Sequence, residues 1–341
     1  MRAAIIEKVG EIVIKDVPKP SPKHEEALVK IITAGVCHSD LHMSNGDWPV
    51  VKPPIPLGHE AIGIVEELGH GAERFIKKGD RVILGLGGTA GAYWCGACEH
   101  CLAGKPMLCS QQRQLIGAYA EYMAVWAKAL VKLPDEIDNN QVPLACAGLT
   151  AYSAVKKLAN FGIQTGKTIA VIGAAGGLGH YGVQIAKAFG YKVIGVDIGP
   201  EKLEFIKKIG ADYAVDVSEA VETIGKKFKG VSASIAFSSK VAGFELGLKL
   251  LKRGGVLITV GLPAFSDGSM SIDPFSFILK GLQITSSLVG TVEEMRELVQ
   301  LAAEGKVKTH IGRTAKLAEI NEVLEDLEQA KFVGRAILEI E

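Results

Sequence analysis

The sequence predicts an α/β protein in which a doubly wound parallel sheet of six strands follows a mainly antiparallel β region. Three observations support this fold class. Residues 1 to about 140 contain short segments in which apolar and polar side chains alternate. From residue 167 onwards, apolar runs alternate with helical patterns, as in a parallel sheet with helical crossovers. A glycine-rich turn directly follows the first of those runs.

Length and charge limit the classes of protein. The 341 residues suit two domains, and we expect a first domain over 1–146, a second over 147–287, and a tail over 288–341 that packs back on the first. Lysine plus arginine equals aspartate plus glutamate, at 38 each, so no net field favours nucleic acid or an anionic membrane. Glu7 interrupts the N-terminal apolar run, and five glycines interrupt the longest uncharged window, so we expect neither a signal peptide nor a membrane span. A cytoplasmic protein is the expectation.

The hydrophobic patterns also predict the individual elements. In the first domain they indicate strands over 27–33, 58–68, 79–84 and two more between 120 and 133, followed by a helix over 141–158. For the parallel sheet they indicate strands over 168–172, 192–197, 212–216, 232–237, 255–260 and 282–287, with helices over 177–189, 200–209, 219–228 and 242–252. The tail should contain helices over 292–304 and 316–329 and a strand over 334–340.

The segment 167–197 predicts a dinucleotide-binding βαβ unit, because a strand, a glycine-rich turn, a helix, a second strand and an acid occur in that order. Glycines let the backbone approach a pyrophosphate, and the helix N-terminus offers unpaired N–H groups and the positive end of its dipole. The candidate cofactor-binding residues of this unit are Gly173, Ala174, Gly176, Gly177, Leu178, Gly179, Asp197 and Lys202.

Asp197 predicts that the dinucleotide is NAD. It lies 18 residues after Gly179, close to the roughly 20 that the dinucleotide pattern expects. A carboxylate there can accept hydrogen bonds from both ribose hydroxyls and would repel a 2′-phosphate. The match to G-x-G-x-x-G is imperfect because Ala174 occupies the first glycine position, so a plain βαβ turn without a ligand is the alternative.

Four cysteines within 15 residues predict a structural zinc site. Cys95, Cys98, Cys101 and Cys109 can close a tetrahedral all-thiolate site that leaves no open position for chemistry. The spacing also resembles a bacterial iron–sulfur run, but that run has its fourth cysteine after three residues and then a proline, whereas here seven residues intervene and Ser110 follows. Disulfides are a second alternative, which a cytosolic location disfavours.

Taken together, the motifs resemble those of the zinc-dependent medium-chain alcohol dehydrogenases, particularly the yeast-type and bacterial tetrameric ethanol dehydrogenases. The motifs that carry the resemblance are GVCHSDLH (35–42), GDWP (46–49), GHE (58–60), GDRV (79–82), the four-cysteine loop, CAGLTAY (146–152), the glycine-rich turn with Asp197, and Gly334-Arg335. The resemblance implies a GroES-like catalytic domain, a Rossmann NAD-binding domain, two zinc ions per chain and a homotetramer, with a dimer as the alternative.

By spacing alone, Cys37, His59 and Cys146 do not identify a metal site. The resemblance makes them the ligands of a catalytic zinc ion whose fourth position is open to the substrate. It further implies that Asp40 accepts the N–H of His59 and fixes its tautomer. Glu60 is similar to an acid that can approach the metal when ligands exchange.

The resemblance also implies a proton relay and two cofactor contacts. Ser39 would accept the alcohol proton and pass it, through a ribose hydroxyl, to His42 at the surface. His38 and Arg335 correspond to positions that contact the cofactor pyrophosphate. The alternatives are a helix-capping role for Ser39 and plain surface positions for His42 and Arg335.

Trp48 and Trp94 are expected to narrow the substrate pocket and so favour small primary alcohols over bulky secondary ones. An ordinary core position is the alternative for either ring. The segment 110–119 is shorter than in the relatives, and the loop 85–94 is unusually rich in glycine. Both changes bear on substrate range.

Two other functions compete with an NAD-dependent zinc alcohol dehydrogenase that interconverts primary, or secondary, alcohols with aldehydes or ketones. A polyol or aryl-alcohol dehydrogenase has the same fold, although polyol relatives commonly carry Glu at the position of Cys146. Zinc-free quinone and enoyl reductases share the fold but lack these cysteines. A non-catalytic NAD-binding or redox-sensing protein would not need the relay residues together with a full set of metal ligands.

Overall fold

The computed structural model describes residues 1–48, 52–84 and 88–340. The chain divides into two compact units. The first unit comprises Met1–Leu149, Val289–Gly305 and Thr309–Glu341, and the second comprises Thr150–Leu288 and Lys306–Lys308. None of the helices in the described ranges combines the length and the apolar character that a membrane crossing requires.

Strands and helices are numbered here in chain order. The strands are β1 (Arg2–Lys8), β2 (Glu11–Asp16), β3 (Glu26–Val36), β4 (Ile55–Pro56), β5 (Glu60–Leu68), β6 (Arg81–Leu84), β7 (Gly88–Tyr93), β8 (Arg113–Leu115), β9 (Tyr122–Trp126), β10 (Leu130–Lys132), β11 (Thr168–Ile172), β12 (Lys192–Asp197), β13 (Tyr213–Asp216), β14 (Val231–Ala236), β15 (Leu251–Thr259), β16 (Gln283–Ser286), β17 (Ile311–Lys316) and β18 (Arg335–Glu339). The α-helices are α1 (His38–Asn45), α2 (Glu99–Leu102), α3 (Ala147–Lys156), α4 (Gly179–Ala188), α5 (Pro200–Lys208), α6 (Ala220–Phe228), α7 (Val241–Lys249), α8 (Pro274–Lys280), α9 (Val292–Ala303) and α10 (Ile320–Glu328). Short 3₁₀ turns cover Ala72–Arg74, Pro106–Leu108, Ala127–Ala129, Asn139–Ala145, Lys157–Phe161, Phe265–Asp267 and Leu317–Glu319.

Strand β3 organises the first unit. It is almost entirely buried and lies between β5 and β18 in a sheet of order β10-β6-β5-β3-β18-β17, and β9 also pairs with it. Its register places Gly35 opposite Glu60 and Val36 opposite Ala336. The ends of three strands that are far apart in sequence therefore meet where β3 gives way to helix α1.

The second unit contains the six-stranded parallel sheet, and the predicted α/β fold class is confirmed. Its order is β13-β12-β11-β14-β15-β16, and every pair of neighbours is parallel. All six residues of β14 are buried, as expected for a strand covered on both faces. The strand order reverses beside β11, which is where open α/β sheets bind their ligands.

Several elements differ from the sequence expectation, which also did not include α1, β7, α2 and β8. The predicted helix over 141–158 is interrupted: a 3₁₀ turn ends at Ala145, Cys146 has φ −125° and ψ −64°, and α3 begins at Ala147. Pro143 within that turn has no N–H to donate, which disfavours a continuous α-helix. Helix α8 and strand β17 were not predicted; α8 has no buried residue, so it lacks the one-sided burial that makes a helix recognisable.

Candidate metal and cofactor sites

The end of β3 brings together three residues that are distant in sequence. Cys37 follows β3, His59 precedes β5, and Cys146 lies between the 3₁₀ turn and α3. One ligand atom from each of them, together with a carboxylate oxygen of Glu60, forms a group in which all atoms lie within 4.8 Å of one another. All four side chains are buried.

The donor set of this group fits a zinc ion. His59 Nε2 is buried and has no hydrogen-bond partner among the residues that the structure describes. A buried polar nitrogen without a partner is costly, and a metal ion in place of its proton would satisfy it. Two thiols and one imidazole are the donors of a catalytic zinc site with an open position.

The ionisation of the group also favours a cation. The hydrogen bond with the Cys146 thiol holds the pKa of Cys37 well below its usual value, although burial acts in the opposite direction. The same hydrogen bond, together with burial, raises the pKa of Cys146. Burial disfavours a charged His59, but the negative charges of Asp40 and Cys37 together outweigh this effect and raise the pKa of His59. A buried thiolate at Cys37 favours protons on the neighbouring His59 and Cys146. The same negative charge would attract a metal ion.

Asp40 connects two of these candidate ligands. Its Oδ1 lies 2.9 Å from His59 Nδ1, and its Oδ2 accepts hydrogen bonds from the backbone N–H of Cys37 at 3.0 Å and the hydroxyl of Tyr119 at 2.7 Å. A carboxylate can only accept, so Nδ1 carries the proton and Nε2 is free to ligate. The resemblance indicated the contact with His59, whereas no local sequence signal indicated Tyr119.

Glu60 forms a buried ion pair with Arg335. The Arg335 Nη2 lies 2.8 and 2.7 Å from the two carboxylate oxygens and donates to Val36 O at 2.8 Å. Burial raises the pKa of Glu60 to about 7, although the Arg335 charge acts in the opposite direction. A Cβ at Gly35 would lie 2.0 Å from Glu60 Oε2, so a side chain at this position would push the carboxylate out of its present place. Arg335 is 3% exposed, which excludes the plain surface position, and its contact with a pyrophosphate stays a prediction.

Helix α1 presents the expected relay residues, with one correction. His42 is not a surface residue: its side chain is only 12% exposed, because Asp47 and Trp48 fold back over the helix. Its Nδ1 lies 2.7 Å from Asp47 Oδ2, and its buried Nε2 has no hydrogen-bond partner within the described part of the chain. Ser39 is half-buried and His38 is exposed.

The two tryptophans expected in the substrate pocket lie in different places. Trp48 is buried, with its ring centroid 5.0 Å from that of His42. Trp94 instead packs edge-on against Trp126 at 4.6 Å, and Trp126 pairs with Glu26 at the far end of β3. Eleven strand residues at roughly 3.3 Å each separate that end from Cys37. The pocket prediction for Trp94 is therefore wrong, and Pro49 of the GDWP motif and residues 85–87 of the glycine-rich loop lie outside the described residues.

The four-cysteine loop forms a second candidate metal site. The ligand atoms of Cys95, Cys98, Cys101 and Cys109 lie within 4.8 Å of one another. The backbone N–H groups of Ala97 and Cys98 donate to the Cys95 sulfur, and these bonds lower the pKa of Cys95 to about 6. Four clustered cysteine sulfurs, at least one of which ionises readily, are suitable ligands for a zinc ion.

The glycine-rich turn follows β11 and leads into α4, which begins at Gly179 rather than at the predicted residue 177. A Cβ at Gly179 would lie 1.9 Å from Gly173 O, so the turn requires glycine there. Ala174 is buried, and Leu178 is the N-cap residue of α4. The turn also contains Gly176 and Gly177.

Asp197 lies at the end of β12, beside this turn. Its Oδ2 accepts the backbone N–H of Ala175 and its Oδ1 that of Ile198, each at 2.9 Å, and Lys202 Nζ lies 3.6 Å from Oδ1. The carboxylate is thus held by the backbone at the carboxyl end of its strand. That is the place where a ribose-binding acid is expected.

Known proteins with this architecture share the same sequence pattern. The family model described as the alcohol dehydrogenase GroES-like domain matches residues 23–135, and the model described as zinc-binding dehydrogenase matches residues 177–304. An alcohol dehydrogenase of Geobacillus stearothermophilus is 40% identical over 355 residues, covering 100% of both chains. This chain belongs to the zinc-dependent medium-chain alcohol dehydrogenase family.

Solved structures agree with that assignment. The alcohol dehydrogenase of the hyperthermophilic archaeon Aeropyrum pernix is 36% identical, with a TM-score of 0.88 over 99% of this chain and 100% of its own. A cobalt- and zinc-bound thermostable alcohol dehydrogenase from Pyrobaculum aerophilum is 26% identical, with a TM-score of 0.86 over 99% of each chain. The chain is therefore an oxidoreductase, a zinc-dependent alcohol dehydrogenase that uses a nicotinamide cofactor, and not a non-catalytic binding protein.

Proposed function

We propose that this alcohol dehydrogenase interconverts primary alcohols and aldehydes with NAD, and that each chain binds two zinc ions. Cys37, His59 and Cys146 would hold the catalytic ion, and the four-cysteine loop would hold a structural one. The observation that carries the proposal is the convergence of these three residues around a buried His59 Nε2 that has no partner among the described residues.

Each residue of the catalytic group has a physical task. A bound zinc ion supplies Lewis-acid polarisation of the alcohol oxygen, and bound NAD supplies the hydride acceptor. The thiolates of Cys37 and Cys146 balance the charge of a dication, so the substrate meets a nearly neutral site. Asp40 holds His59 in the tautomer that exposes Nε2. Glu60, paired with Arg335, places a second carboxylate beside the ligands.

Ser39 and His42 would carry the alcohol proton away from the site. Ser39 is half-buried in the first turn of α1 and can both accept and donate a proton. His42 Nδ1 faces the Asp47 carboxylate, which can only accept, so the proton belongs on Nδ1 and Nε2 is left as an acceptor. Asp47 is partly exposed and offers the proton a way to solvent.

Trp48 supports small primary alcohols as the preferred substrates, because a buried indole beside His42 restricts the space for bulky groups. Cys146 supports an alcohol rather than a polyol dehydrogenase, since its thiol lies within the ligand group. A cytoplasmic location is part of the proposal, because all six cysteines are thiols and both metal groups need them reduced.

The exposed apolar surface of the second unit supports a homo-oligomer, proposed as a tetramer with a dimer as the alternative. Strand β16 is an edge strand, and helix α8 has no buried residue. The large exposed apolar side chains of this region are Leu262, Phe265, Ile272, Phe275, Ile278 and Leu279. Apolar surface of this kind marks an interaction site in natural proteins. Light scattering would measure the subunit number, and a monomeric mass would rule the proposal out.

We expect metal analysis of the purified enzyme to find two zinc ions per chain. Cys146→Ala should retain one ion and lose activity by about three orders of magnitude or more, because Lewis-acid stabilisation is worth several kcal/mol. Cys101→Ala is the matched control. It should also retain one ion but mainly lower the temperature of unfolding. A reconstituted wild-type enzyme with one zinc ion or none would contradict the two-site assignment.

Ser39→Ala should lower kcat by at least about two orders of magnitude, the range of a general acid–base group, without changing the zinc content. Ser39→Thr keeps the hydroxyl and should retain most of the rate. Steady-state kinetics on both variants separate the relay from a helix-capping role. A normal rate in the alanine variant would exclude the relay.

The enzyme should have a lower KM for NAD than for NADP, because Asp197 would repel a 2′-phosphate. Asp197→Ala should reduce this preference by about tenfold or more. Asp212→Asn makes a comparable charge change at the opposite, amino-terminal end of the same sheet, where Asp212 contacts Val193, and should leave the preference unaltered. A wild-type KM that is lower for NADP would show that the cofactor assignment is incorrect.

A further inference from the structure

Tyr119 is a fully buried tyrosine whose hydroxyl lies beside Asp40, the residue that contacts His59. Its relative exposure is 0%. Its hydroxyl lies 2.7 Å from Asp40 Oδ2 and 3.1 Å from Gly35 O. Burial and the neighbouring Asp40 charge raise the pKa of Tyr119, so the phenol keeps its proton and donates it. No motif in the sequence singled out this residue.

The ring of Tyr119 also supports the backbone that carries His59. A Cβ at Gly58 would lie 2.3 Å from Tyr119 Cδ1, so the ring packs directly against the backbone before the ligand. The N–H groups of Gly117 and Ala118 donate to Gly58 O at 2.8 and 3.0 Å. Tyr119 N donates to Leu57 O at 3.0 Å. The segment 117–119 is therefore hydrogen-bonded along the residues that precede His59.

The Asp40 carboxylate explains how the hydroxyl could affect the metal site. One oxygen faces His59 Nδ1, and the other receives the Cys37 N–H and the Tyr119 hydroxyl. Of these three groups, only the tyrosine hydroxyl can be deleted without altering a metal ligand or the backbone. Without it, the carboxylate would have one fewer bond holding its plane, and the imidazole it orients would be less restrained.

We propose that Tyr119 is a positioning residue for the catalytic zinc site: its hydroxyl orients the Asp40 carboxylate that holds His59, and its ring supports the backbone at Gly58. This proposal rests on the ligation of zinc by Cys37, His59 and Cys146. Mutation of a residue that hydrogen-bonds a metal-ligating histidine typically lowers metal affinity by about 10- to 100-fold. The Tyr119 hydroxyl does not touch His59 itself and acts through the hydrogen bond between Asp40 and His59.

The test compares Tyr119→Phe with the wild-type holoenzyme. Phenylalanine keeps the ring and removes only the hydroxyl, so we expect catalytic zinc to bind about tenfold or more weakly in competition with a chelator. Zinc in the four-cysteine loop should be held as in the wild type. The visible absorption bands of cobalt placed at the catalytic site should also shift, which reports the ligand geometry directly.

Tyr191→Phe is the matched control. Tyr191 is also buried, and its hydroxyl donates to Ile163 O at 2.9 Å in the other unit. Its loss should lower the unfolding temperature without altering zinc affinity or the cobalt spectrum. Asp40→Asn should weaken zinc binding, and adding Tyr119→Phe to it should cost little more, because the two groups act through one contact.

Different outcomes would overturn different proposals. A Tyr119→Phe enzyme that unfolds at a lower temperature but keeps wild-type zinc affinity and an unshifted cobalt spectrum would show a purely structural role for the hydroxyl. Full additivity with Asp40→Asn would also overturn the positioning role. A wild-type chain that binds no metal at Cys37, His59 and Cys146 would overturn the proposed function and the positioning role together.

Discussion

The buried charges at the end of β3 are the constraint on which the catalytic unit depends. Two thiols, an imidazole and a carboxylate lie within 4.8 Å of one another and away from solvent. Burial of charged groups costs several kcal/mol each unless partners compensate. Such partners are present: Asp40 for His59, Arg335 for Glu60, and the Cys37 N–H and the Tyr119 hydroxyl for Asp40. A cation among the donor atoms would complete this balance.

Glycines give these charged groups the space they need. Gly35 lets the Glu60 carboxylate approach β3, and Gly58 lets the Tyr119 ring pack on the chain before His59. Gly58 has φ +89°, a backbone conformation that residues other than glycine rarely adopt. The glycines near the ligands are therefore part of the site, because a methyl group would displace the Glu60 carboxylate at position 35 or the Tyr119 ring at position 58.

Local patterns were sufficient to predict most of the fold. The strands and helices of 168–237 lie within a few residues of the prediction, because each has a clear apolar period and a glycine or acidic boundary. The apolar pattern of 141–158 does not reveal the interruption at Cys146, which Pro143 favours because it has no N–H to donate. Helix α8 was not predicted because it has no buried side, and its apolar side chains are exposed.

The contacts of the site could not be read from local patterns. The pairs Tyr119–Asp40 and Glu60–Arg335 join residues that are 79 and 275 positions apart. The Glu60–Arg335 pair depends on the register of β3 against β5 and β18, because a shift of one residue would reverse which side chains face the site. The Tyr119–Asp40 pair depends on the hydrogen bonds that tie residues 117–119 to Leu57 and Gly58. Trp94 shows the same dependence: its nearness to Cys95 in sequence says nothing of the end of β3 at which it packs.

The two cysteine groups illustrate why donor type alone does not determine the role of a metal site. In the four-cysteine loop, backbone N–H groups already reach the Cys95 and Cys109 sulfurs, and every donor is a sulfur. Such a site is complete once an ion is bound, so it can only stabilise the loop. The group at Cys37, His59 and Cys146 has three donors, with Glu60 engaged by Arg335. An ion there would keep a position for substrate for as long as that ion pair holds the carboxylate.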